Sequence, residues 1–457
     1  MSRFGSLADA PASLLVRGAR VIDPANGTDG VADVAIHAGL IADASSLPAD
    51  AAEIDASGLL AIPGLCDLHA HLREPGGEAA ETVASGARAA ARGGYTTICA
   101  MPNTDPPLDE PARVAYVKAR AADAACRVRV VAAATRGRSG EQMVDVGELA
   151  ELGIAGVSDD GAAVASARVA RGLLAYLAPI GLPLIEHAEE PSLAEGTLMR
   201  AGATATRLGL AGWPASAELS MVERDTALAA ETGGWLHVTH LSTAVALRAI
   251  QRAKAHGVRI TCDVTPHHLA MTDAWVAGER RFAWDAADGD IAALDASTAY
   301  DGNCRVTPPL GTRSDAQALM AGLADGTIDA IATDHAPHPP ERKLVEFSAA
   351  APGMIGLETA LSIGLAAVGA GCLTLAALVA AVSTRPARLI GEERSMAVGA
   401  RADITLVDPA ASWTVTPELL ASASANTPLL GMSLPGVVRL TVADGRVTYD
   451  GELLQPG

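Results

Sequence analysis

The sequence predicts an α/β chain: a (β/α)8 TIM barrel carrying a small β-sandwich domain built from both chain ends. Three observations point there. Eight apolar runs alternate with Ala-rich helical stretches through the middle of the chain. Each run is hydrophobic early and ends in polar, chemically capable residues, as in a closed parallel barrel whose site lies at the C-terminal ends of its strands. Both ends of the chain read instead as short strands with turn signals.

The N-terminal piece, residues 1–62, contains LLVRGARVID and GVADVAIHAG. The C-terminal piece, residues 391–457, contains ADITLVD and VRLTVADGRVTYDG. Neither is long enough to bury a sheet face alone, so the two are expected to pair into one domain. The barrel is expected over residues 63–390. Its runs are LLAIPGLCDLHAH, YTTICAMPNT, VRVVAAAT, GIAGVSDD, LPLIEHAEE, WLHVTHLS, VRITCDVTPHH and IDAIATDHAPH. A doubly wound open sheet shares the alternation, but its site lies at one switch point and not at many strand ends.

A chain of 457 residues, 49% of them hydrophobic, can bury a sizeable core. Gly 45 and Pro 26 supply the turns that many short elements require. The apolar stretch Met354–Val382 is rich in Ala and Gly and contains Glu358, so it reads as buried helices and not as a membrane span. The N-terminus lacks a convincing signal-peptide core. Six scattered cysteines without a CxxC pair suggest neither a zinc ribbon nor a disulfide framework, and they read as reduced small hydrophobes of a cytoplasmic protein.

The net charge of −19 excludes a duplex binder, which needs a basic face. An anionic substrate would then require local positive charge from metal ions and a few arginines.

Polar residues at the strand ends carry the chemistry. His69 and His71 lie two apart, so on a strand both imidazoles share a face. Asp159 and Asp160 close the fourth run, His187 the fifth, His240 the sixth and Asp334 the eighth. Imidazole nitrogens and carboxylate oxygens suit zinc and similar divalent ions, and this set is large enough for two of them. Asp159 and Asp160 should point to opposite sides, so one is a ligand; spacing does not choose between them. Arg73 offers either a fork for a carboxylate or a surface ion pair with Glu74 or Glu78. His237 faces away from His240 and reads as packing, His267 and His268 read as structural, and His37 and His256 lie outside the constellation.

HxH on the first strand, single histidines on the fifth and sixth and an Asp on the eighth form the amidohydrolase-superfamily pattern. DLHAHLREPGGE, TVASGARAAARGGYTT, MPNT, SDDG, VTPHHL, IDAIATDHAPH and GMIGLET together resemble the long bacterial dihydroorotases, over almost the whole chain. The resemblance implies a zinc enzyme of pyrimidine biosynthesis that interconverts N-carbamoyl-L-aspartate and L-dihydroorotate. It implies that His69, His71, Asp160, His187, His240 and Asp334 hold two Zn2+ ions, bridged by Asp160 and a hydroxide. The chain has only Lys118, Lys254 and Lys343, none at the end of the fourth run, so no carbamylated lysine is expected. Asp334 would be the proton-transferring catalytic residue. His71, Leu72, Arg73, Asn103, His338, Pro352 and Gly353 would contact substrate. Thr307 stands where the family usually has Asn, and Ala351 where it usually has Pro.

Two competing readings follow from the same likeness. Hydantoinases and allantoinases usually need the bridging lysine and lack an arginine at the position of Arg73. Catalytically silent homologues that scaffold aspartate transcarbamoylase have lost metal ligands. A homodimer and association with that transcarbamoylase are further expectations.

Overall fold

The computed structural model describes residues 3–285 and 297–454. Eight strands form the barrel: β1 (Leu65–Ala70), β2 (Tyr95–Ala100), β3 (Arg127–Ala133), β4 (Gly156–Ser158), β5 (Pro183–Glu186), β6 (Trp235–Val238), β7 (Ile260–Val264) and β8 (Ala330–Ile331). Each pairs in parallel with the next. A parallel bridge between Ala70 and His335 closes β8 back onto β1, and the His71 N–H donates to the His335 carbonyl at 2.8 Å. β1 and β2 are buried at every position. Strands covered on both faces need continuous apolar sequence, which is why these runs do not alternate.

Helices follow the strands and begin at side-chain caps. Thr82 and Ser85 form a capping box on Val83–Arg92, and Thr312 and Asp315 form one on Arg313–Ala324. Ser166 and Thr243 cap Ala167–Leu177 and Ala244–Ala255. The helices turn small apolar faces onto the barrel. Leu173 and Leu174 are fully buried there, and truncating either to Ala would cost about 2–5 kcal/mol.

Both chain ends pair, as expected. They do so as one continuous mixed sheet. The strand Leu60–Pro63 lies between Leu14–Asp23, which it joins in parallel, and Ile404–Thr414, which it joins antiparallel. It then runs directly into β1. The short strand Leu40–Ala42 returns to hydrogen-bond the segment ahead of Ile404, through Ile41 N–H to Ala400 O and Ala402 N–H to Gly39 O. The sheet thus curls around its own core, which includes Val16, Ile36, Ile404 and Leu440.

A buried ionic cluster ties this sheet to the barrel. Arg127, on β3, donates to Asp403 at 2.5 Å, and Arg394 pairs with both Asp403 (3.1 Å) and Glu392 (2.9 Å). Such a cluster is weak evidence for net stability, but removing one partner would leave an unpaired buried charge and cost about 3–5 kcal/mol. Met354–Val382 folds into buried helices, and Glu358 pairs with Arg92 at 3.0 Å. Among the described residues no helix is long and apolar enough to cross a membrane. Five of the six cysteines are buried and all are free; burial pushes the Cys66 and Cys126 thiols up to about 12.

Candidate metal and substrate site

Six side chains from five strand ends meet at the C-terminal mouth of the barrel. His69 and His71, from the end of β1, hold their Nε2 atoms 3.3 Å apart. Asp334, just past β8, places Oδ1 3.0 Å from His71 Nε2. His187 follows β5 and His240 follows β6, with His187 Nδ1 2.9 Å from His240 Nε2. Asp160 lies between the two groups. Its Oδ2 is 3.2 Å from His69 and 3.6 Å from His71, while its Oδ1 is 3.2 Å from His240 and 3.6 Å from His187. All six are buried.

This set fits divalent metal. His69, His71 and Asp334 offer one donor atom each within 4.8 Å of one another, as do His69, Asp160 and His240. Four imidazole nitrogens and two carboxylates in a buried cluster match the ligand types of zinc. Burial opposes a charged His69, but Asp160 and Asp334 beside it reverse that and lift it to about 9. Burial likewise opposes an ionised Asp160, yet the surrounding histidines hold it well below the usual carboxylate range.

Neighbours orient the ligands. His69 Nδ1 lies 2.8 Å from Thr239 Oγ1, and that hydroxyl lies 3.1 Å from Asp263 Oδ2. A carboxylate only accepts, so the hydroxyl donates to Asp263 and its oxygen accepts from His69 Nδ1–H. The Nε2 lone pair is thereby left free for a ligand. His71 Nδ1 meets Asn103 Oδ1 at 2.7 Å, which has the same effect on His71 and leaves the Asn103 amide N–H groups free. Asp67 accepts from the Thr333 N–H at 2.8 Å and hydroxyl at 2.6 Å, fixing the strand end that presents Asp334.

Asp159 turns away from the cluster. Its carboxylate accepts from the backbone N–H groups of Ala134 (3.0 Å) and Thr135 (2.9 Å) and from the Thr135 hydroxyl. The two adjacent aspartates thus face opposite ways. His237 is buried against Thr261 and Asp263, and His268 bonds Thr265 and the Pro308 carbonyl.

A cavity of about 320 Å³ opens over the cluster and is lined by Arg73, Asn103, Thr307, His338, Pro352 and Gly353, among others. None of the three lysines lines it. Arg73 does not pair with Glu74 or Glu78. Glu74 accepts from Arg120 at 2.7 Å and from the Val83 N–H, and Glu78 caps the Gly76 N–H. Arg73 Nε instead donates to the Pro337 carbonyl at 3.2 Å, and burial pushes its guanidinium down to about 10. His338 Nε2 lies 2.8 Å from the Pro352 carbonyl, so it must carry the hydrogen. Burial, with Arg73 nearby, holds this histidine neutral at about 3. Gly353 has φ 128°, and a Cβ there would meet Ala336 Cβ at 2.6 Å, so only glycine fits beside the cavity. Leu72 packs its side chain against Gly86 in the core and does not line the cavity.

Eight non-glycine residues take positive φ among those described, and four of them belong to this mouth: Arg73, Arg138, His240 and Asp334. Left-handed backbone costs energy that packing must offset, and it gathers at functional sites. Thr239, Asp263 and Arg138 escaped sequence reasoning. Asp263 ends an apolar run as the ligands do, and that was the signal available.

Comparisons with known proteins identify the family. A family profile described as Dihydro-orotase-like matches residues 58–245. A dihydroorotase of Anaeromyxobacter sp. (strain K) is 47% identical over 442 residues, covering 96% of this chain and 98% of the relative. One from Pelobacter propionicus is 43% identical over 96% of this chain and 99% of its own. Among solved structures, L-hydantoinase (dihydropyrimidinase) from Arthrobacter aurescens superposes with a TM-score of 0.81 at 23% identity, over 97% of this chain and 98% of that one. Fold and site together define a cyclic amidohydrolase of metal-dependent type. Within that class, the chain belongs to the dihydroorotase family.

Proposed function

We propose that the chain interconverts N-carbamoyl-L-aspartate and L-dihydroorotate at the mouth of its barrel, with His69, His71, Asp160, His187, His240 and Asp334 holding two zinc ions. The observation that carries this is the placement of Asp160, whose two carboxylate oxygens face separate histidine groups. A carboxylate so placed could contact ions held by either histidine group, a role that would otherwise need a carbamylated lysine. When bound, such ions supply the Lewis acidity that an unreactive amide carbonyl needs.

The chain's own groups do the rest. Arg73 and the free Asn103 amide bind the carboxylate that the substrate keeps in both directions. Gly353 and the Pro352 carbonyl, held by His338, shape the wall beside the ring. Asp334 accepts the proton of the attacking water and returns it to the departing ring nitrogen; in the synthetic direction the same proton moves run in reverse. Thr307 offers a single hydroxyl to the substrate, where an amide would offer a paired donor and acceptor.

Ultraviolet assay of both directions, with zinc supplied, tests the proposal. Turnover of dihydroorotate and of carbamoyl aspartate is expected. Turnover of hydantoin or allantoin without dihydroorotate would assign the site to a sister activity.

A further inference from the structure

The C-terminal piece that completes the outer sheet also reaches the barrel mouth. Between the strands Ile404–Thr414 and Ser433–Ala443 the chain leaves the sheet, and Ser424 Oγ donates to the Ala80 carbonyl at 2.7 Å in the segment after β1. The Ala423 N–H donates to Glu81 Oε1 at 3.1 Å. This docking brings Asn426, which is buried, against the loop that follows β8.

Asn426 clasps two walls of the cavity together. Its Oδ1 accepts from the His338 N–H at 2.9 Å. Its Nδ2 donates to the Ala336 carbonyl at 3.0 Å and to the Gly353 carbonyl at 3.2 Å. The amide can face only this way, because a flip would set N–H against N–H and oxygen against oxygen. His338 Nε2 in turn donates to the Pro352 carbonyl at 2.8 Å. From Asn426 to His338, across to Pro352, along to Gly353 and back, the bonds form a closed ring. Lys343 adds a second donor to the Gly353 carbonyl at 2.8 Å, so both lone pairs of that oxygen are taken. Ala336, His338, Pro352 and Gly353 line the cavity, and Asn426 itself does not.

A small substrate that meets both walls at once needs their spacing fixed in advance, since a displacement of about 1 Å is enough to spoil binding or reaction geometry. A backbone bond from the Ala336 N–H to the Met354 carbonyl at 2.9 Å joins the two segments, and Asn426 adds the bonds that reach His338 and Gly353. We infer that Asn426 is a positioning residue for substrate binding: from outside the cavity it sets the spacing between the His338 loop and the Pro352–Gly353 wall. The barrel thus does not complete its substrate site alone, because the C-terminal piece supplies the clasp. The inference rests on the dihydroorotase function proposed above.

Steady-state kinetics of zinc-loaded wild type, N426A and N426D in both directions test it, with zinc content and melting temperature measured on the same preparations and S424A as control. N426A should raise KM about tenfold in both directions, keep kcat within about threefold and leave zinc content unchanged, the pattern of lost binding and not of lost chemistry. N426D should resemble N426A, because it keeps the acceptor for His338 and loses both donors. N426S, which keeps one hydroxyl, serves if N426A fails to fold. S424A, in the same segment but without contact to either wall, should keep the wild-type KM. A wild-type KM in N426A or N426S with only a lower melting temperature or a smaller active fraction, or an equal rise of KM in S424A, would overturn the inference alone. A wild type that turns over neither compound would overturn the proposed function and the inference with it.

Discussion

His69 Nδ1 lies 2.8 Å from Thr239 Oγ1, and the same hydroxyl reaches Asp263. The pair fixes which imidazole nitrogen faces the cavity. Thr239→Val removes that acceptor, and zinc affinity should fall by about 10–100-fold, the usual effect of losing such a partner. Thr239→Ser should keep most of it. Competition with a coloured chelator measures both, independently of turnover. Unchanged affinity in Thr239→Val would show that the tautomer is set elsewhere.

Asp334 sits 3.0 Å from His71 and is held by a strand end that Asp67 anchors. Asp334→Ala should abolish turnover in both directions while the melting curve stays near that of wild type. A residual rate within about tenfold of wild type would remove Asp334 from proton transfer, since general acid–base catalysis contributes about 10²–10⁴-fold.

Arg73 is oriented by the Pro337 carbonyl and pairs with no carboxylate among the described residues. Arg73→Ala should chiefly raise KM in both directions, because the carboxylate it binds is present in both compounds. An effect on kcat alone would contradict the binding role.

Lys343 is buried, and its ammonium donates to the carbonyls of Ala351 (2.7 Å) and Gly353 (2.8 Å) on the cavity wall. Burial pushes it down to about 7 from an ordinary value of 10.5. The unfolded chain therefore binds more protons than the folded one between those values, and this group's contribution to stability rises with pH across that window. Lys343→Met should flatten that component. Urea midpoints of both proteins at about pH 7 and about pH 9.5 measure it, and an identical pH dependence would place the titration elsewhere.

Much of the fold and the candidate ligand set could be read in the sequence because strand ends advertise themselves. A buried parallel strand must be apolar, so the first polar residues after it stand out, as in LCDLHAH and IDAIATDHAPH. The supporting residues were less legible. Thr239 and Asp263 meet because β6 and β7 pair with Val238 opposite Cys262. That register brings together residues 24 apart, and no local pattern encodes it. Arg138 lies in a loop whose path depends on Asp159, so its aim into the cavity is a tertiary property. Leu72 follows a ligand histidine in sequence, yet two residues past the end of β1 its side chain packs into the core.

The most direct test is metal removal and return. Purified enzyme stripped with a chelator should lose dihydroorotate turnover, and titration with zinc should restore it with saturation near two ions per chain. Full turnover by metal-free protein, or none in protein carrying two zinc ions, would contradict a two-metal cyclic amidohydrolase at this barrel mouth.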